Sequence, residues 1–251
     1  MEIDLYVPKS EALYNRRVKI NPLNGEVLED VCCSRDIFNP LGLEAVKPKE
    51  KSFRSAEAAE EKQSEASDSL ARSAARARKE LFELCACNDF DLFFTLTLDK
   101  EKVDRYDYKT IVSRLSVWLD NRVRRRGLRY IAVPELHKDG AIHFHGLCNS
   151  EACRLKDSGV KDNGHVVFNI TDWKLGFTTA IRLYGEPNAA AHYVAKYVTK
   201  SSAGGTIGGR YFYHGGELQK ARCYYYHEDF EEFKGKEHTI DNASITFKYA
   251  K

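Results

Sequence analysis

The segment VPELHKDGAIHFHGLC, residues 133–148, constrains this chain more than any other. Two runs of strand-forming residues flank Asp139-Gly140, a turn signal, and read as a hairpin over Arg129 to Leu136 and Ala141 to Cys148. Successive side chains of a strand point to opposite faces. His143 and His145 therefore share one face, while Ile142 and Phe144 share the other and belong in a core. Loop length decides what the histidines meet. If only Asp139-Gly140 turns the chain, Glu135 lies opposite Phe144 and faces the core. If Lys138-Asp139-Gly140 does, Glu135 lies opposite His143, and the loop ends on a glycine where a left-handed residue is favoured. In the second case two imidazoles and a carboxylate gather on one face. That donor set suits Mg²⁺ or Mn²⁺ with open positions, and zinc nearly as well. Polar residues on an open sheet face, without metal, are the plainer reading of the same spacing.

A second constellation is HYVAKYVTK, residues 192–200. Asn188 to Lys200 reads as a helix, on which positions four apart lie on nearly one face. Tyr193 and Tyr197 would present two phenols side by side, each followed three residues later by Lys196 or Lys200. A phenol with a reference pKa near 10 is a poor nucleophile at neutral pH. A neighbouring cation would stabilise both phenolate and the charge growing on an attacked phosphate. Aromatics packed on a sheet account for the same pattern taken alone.

The surrounding chain alternates strands and helices. Leu92 to Leu98 and two later segments, Val166 to Ile170 and Phe177 to Leu183, read as strands, and 107–126 as a helix. The expectation is an α+β fold, a central antiparallel sheet with helices mainly on one face. Before it, residues 1 to about 50 show no period, and Ser52 to Leu84 is rich in helix formers. The division expected is an N-terminal, partly helical extension over 1–87, a main domain over 88–230 and a tail over 231–251. The late aromatics Tyr211 to Tyr213 and Tyr224 to Tyr226 read first as sheet core.

Net charge is only +2, but Lys100 to Arg129 is densely basic and includes Arg124 and Arg125, a local attraction for phosphates. Seven cysteines without a signal-like start speak for free thiols rather than a disulfide framework. No apolar run approaches the roughly 20 residues of a membrane span, so the expectation is a soluble cytoplasmic protein with no membrane partner.

In chain order, FFTLT (residues 93–97), HFHG (143–146) and YVAKYVTK (193–200) resemble the three motifs of the HUH endonuclease superfamily. The paired tyrosines resemble those of the two-tyrosine rolling-circle replication initiators of single-stranded-DNA phages and plasmids. The resemblance implies a sheet of RRM-like topology. It implies His143, His145 and Glu135 as ligands of Mg²⁺ or Mn²⁺, Tyr193 and Tyr197 as nucleophiles, and Lys196 at the scissile phosphate. Thr95 and Thr97, with Lys200, Arg124 and Arg125, would contact DNA. The activity implied is nicking and rejoining of single-stranded origin DNA through a 5′-phosphotyrosine in a bacterial host cell, served by a host helicase and DNA polymerase. A transposase of the same superfamily, an origin-binding protein without chemistry and an unrelated metal-dependent hydrolase are the competing readings.

Overall fold

The computed structural model describes residues 13–38, 58–184, 187–202, 206–240 and 245–249. The elements in order are β1 (Arg16–Ile20), β2 (Val27–Cys33), α1 (Ala58–Ala86), β3 (Leu92–Leu98), α2 (Tyr108–Arg126), β4 (Tyr130–Leu136), β5 (Ile142–Cys148), β6 (Leu155–Asp162), β7 (His165–Ile170), β8 (Gly176–Arg182), α3 (Pro187–Ser202), β9 (Tyr213–Gly215), β10 (Arg222–Tyr226), β11 (Lys236–Ile240) and β12 (Ile245–Tyr249). Among the described residues no helix is long and apolar enough to cross a membrane.

Residues 1–55 with 220–251 form one compact unit, and 56–219 form another. The units run across the sequence divisions at 87 and 230, because α1 packs on α3 and β10 pairs with β1. The smaller unit is an antiparallel sheet in the order β10-β1-β2-β12-β11. This second sheet was not expected from the sequence. Its N-terminal strands find partners at the far end of the chain, such as Arg16 opposite Tyr226, and no local period announces such a pairing.

The larger unit is built on an antiparallel sheet in the order β6-β7-β8-β3-β5-β4-β9. Its middle, β8-β3-β5-β4, sets the first of four strands between the fourth and the third, as an RRM-like sheet requires. In the β-α-β-β-α-β arrangement a helix precedes the fourth strand. Here a β6–β7 hairpin precedes β8, and α3 follows it.

Period-two alternation divides the two faces. Leu92, Phe94, Leu96 and Leu98 of β3 pack with Ile142 and Phe144 of β5 against Ile111, Leu115 and Leu119 of α2. That helix begins where the Asp107 side chain accepts from Thr110 N at 3.1 Å and ends at Gly127, in the left-handed region at φ +65°. The opposite face carries Ile131, Val133 and Leu147 beneath α1 (Leu81, Leu84) and α3 (Val194, Val198). Two helices thus cover one face and the third covers the other. All seven cysteines are free, five of them buried.

Candidate functional site

The hairpin takes the three-residue loop. His137 N bonds Ala141 O at 2.8 Å, Gly140 sits at φ +83°, and Glu135 pairs with His143. The register then lays Phe177, Thr97, His143 and Glu135 in one row across β8, β3, β5 and β4. Thr179, Thr95, His145 and Val133 form the next row, on the face that α3 partly covers.

Each histidine is held through its Nδ1. Thr95 Oγ1 lies 3.0 Å from His145 Nδ1, and Thr97 Oγ1 lies 3.4 Å from His143 Nδ1. The two threonine hydroxyls, expected at DNA, are therefore directed at the imidazoles. On its other side His145 Nε2 meets Glu135 Oε2 at 2.8 Å. Threonine can donate or accept, so Thr95 can serve either tautomer of His145. His143 stacks on His137, ring centroids 3.8 Å apart. Burial, and then the neighbouring His137 and His145, lower the His143 pKa to about 4, so its imidazole is neutral near pH 7.

Helix α3 brings the tyrosines to this row. The Tyr197 ring lies flat on His145, centroids 3.9 Å apart and planes 10° apart. Its hydroxyl donates to the Tyr193 oxygen at 2.8 Å. Burial, together with that bond, raises the Tyr197 phenol above its ordinary range. Tyr193 meets Phe93 edge-on at 5.2 Å, and Lys196 Nζ stands 5.9 Å from the Tyr193 ring centroid. Two motifs far apart in the chain thus meet at one place.

Among the described residues no group of three His, Cys, Asp or Glu side chains is gathered as a metal site. The donor chemistry nonetheless fits a hard divalent cation. Glu135 and His145 already touch, His143 is a neutral imidazole in the same row, and both Nδ1 atoms are engaged by threonine, which leaves the Nε2 atoms to bind.

Arg124 and Arg125 do not join this site. They are exposed in the last turn of α2, which packs on the opposite face, and their end of the helix leads to the start of β4 rather than to Glu135. Nearby Arg122 is drawn into an ion pair with Asp172 at 2.5 Å. The basic run is continuous in sequence, but the fold distributes it. The Lys200 side chain lies outside the described residues. A residue missed in the sequence is Phe177, 66% exposed at the end of the first row. Its signal was the alternation of GFTTAIR, which sets Phe177 and Thr179 opposite buried Thr178 and Ala180.

Residues 91–202 match the model of one family, the ORF2-type replication-associated proteins. The match runs from the start of β3 to the end of α3, the stretch bearing both motifs, and supports a replication-initiator family. No curated protein and no solved structure gave a match.

Proposed function

We propose that this protein is a replication initiator that nicks and rejoins single-stranded origin DNA by tyrosine transesterification. The observation that carries the reading is the meeting of two phenol oxygens, 2.8 Å apart, with a histidine–carboxylate pair through the Tyr197–His145 stack. A core aromatic needs no such neighbours, whereas a phosphodiester-cleaving phenol does.

A phenol oxygen attacks the scissile phosphorus, the 3′-oxygen leaves, and the 5′-phosphate remains on tyrosine. The phosphodiester bond energy is thereby kept for rejoining. Mg²⁺ or Mn²⁺, when bound by His143, His145 and Glu135, would polarise the phosphate. Thr95 and Thr97 orient the two imidazoles, and Lys196 supplies positive charge beside the Tyr193 ring. Strand separation and synthesis fall to a host helicase and DNA polymerase.

The test is a denaturing gel with a labelled pool of random-sequence single-stranded oligonucleotides and Mn²⁺. An SDS-resistant adduct is expected, absent from the Tyr193→Phe/Tyr197→Phe double variant and abolished by chelation. Tight binding with no adduct under any divalent cation would refute the nuclease and favour an origin-binding protein without chemistry.

A further inference from the structure

The two phenols stand differently, and we propose that Tyr193 makes the first cut while Tyr197 acts at that stage as its positioning residue. The assignment rests on the tyrosine-nuclease reading above. With the hydroxyls 2.8 Å apart, distance from the histidines does not separate the candidates. Access does. Tyr197 is 8% exposed, pressed flat on His145, whereas Tyr193 is 46% exposed. Tyr193 also lines a cleft with Asp89, Phe90, Phe93 and Tyr184, and Tyr197 does not. A phosphodiester carries a nucleotide on each side, so its phosphorus reaches only an oxygen with open space in front of it.

Hydrogen-bond direction agrees. Tyr197 gives its hydrogen to the Tyr193 oxygen, so the Tyr193 hydrogen points away from that contact. A donor aimed at the attacking oxygen stabilises the negative charge it carries as its proton departs. Lys196 places a cation beside the same ring, and Phe93 holds it edge-on.

In the first step a bond forms between Tyr193 Oη and phosphorus, and the bond from phosphorus to the 3′-oxygen breaks. The phenolic proton is transferred, through solvent, to the released 3′-oxygen. No electrons are exchanged with a further reactant. Tyr193 is then an ester, and Tyr197 is the phenol left for the second cut.

Trypsin separates the candidates without mutation, because Lys196 lies between them. The wild-type adduct, formed in a single turnover on an oligonucleotide recovered from the random pool, is digested with nuclease and trypsin and weighed by mass spectrometry. The nucleotide is expected on peptide 183–196 in large excess over peptide 197–200. In parallel, Tyr193→Phe should slow the first cut at least roughly 100-fold. Tyr197→Phe should slow it only roughly fivefold, the scale of one hydrogen bond. It should leave DNA affinity unchanged and block the second cut. Equal labelling of the two peptides, or an excess on 197–200, overturns the assignment and leaves the nuclease standing. A wild type without any adduct removes the nuclease reading and this assignment together.

Discussion

On β5, Ile142 and Phe144 are fully buried in the core beneath α2, while His143 and His145 between them keep partial access on the face toward α3. The neighbouring strands repeat the division. β3 sends Phe94 and Leu96 one way and Thr95 and Thr97 the other, and β4 sends Ala132 one way and Val133 and Glu135 the other. One side of the sheet therefore holds the unit together and the other assembles polar groups. Neither task compromises the other, because a one-residue step changes sides.

That contrast can be broken from the structural side first. Phe144→Ala should cost about 3–5 kcal/mol of stability in urea unfolding. A loss below about 1 kcal/mol would mean that the α2 face does not carry the fold.

The polar face should respond instead to pH. The His143 pKa is lowered to about 4 from 6.5, so between those values the unfolded chain binds a proton that the folded chain refuses. The stability from a neutral His143 is fully present above pH 6.5 and is lost as pH falls toward 4. Melting curves of wild type and His143→Gln should accordingly converge as the solution is acidified through that window. Parallel curves would show that His143 does not resist protonation.

The smallest effect sharpens the contrast from the other direction. Charge reversal at Arg124 and Arg125, on the α2 face, should leave adduct yield within about twofold at physiological salt. A tenfold fall would place DNA on that face too.

Much of the larger unit was legible because it obeys short periods. Leu92 to Leu98 and the β4–β5 hairpin alternate with period two, and Ile111, Leu115 and Leu119 recur at helical spacing. The histidine pair was readable for the same reason. The position of Glu135 hung on one loop residue, and the backbone of Gly140 settles it. What stayed hidden depends on partners distant in sequence. Val18 pairs with Tyr224 as well as with Asp30, and nothing near Val18 says so. The threonines were legible as strand residues but not as partners of imidazole Nδ1, since that requires knowing that β3 lies beside β5. Arg124 and Arg125 misled because proximity along a chain is not proximity to a site.

Gly146 lies on the packing face, where an added Cβ would collide with the Ile131 carbonyl oxygen and approach the Phe94 ring to 2.5 Å. The four-letter stretch HFHG is therefore written in two alphabets. Its first and third letters spell a reactive surface, and its second and fourth spell how tightly β5 lies against its neighbours. The two messages can be inherited separately. A descendant of this chain could exchange both histidines and still keep Phe144 and Gly146, retaining the scaffold as a DNA-gripping relic. The phenylalanine and glycine thus vouch for architecture, and the histidines alone for reactivity.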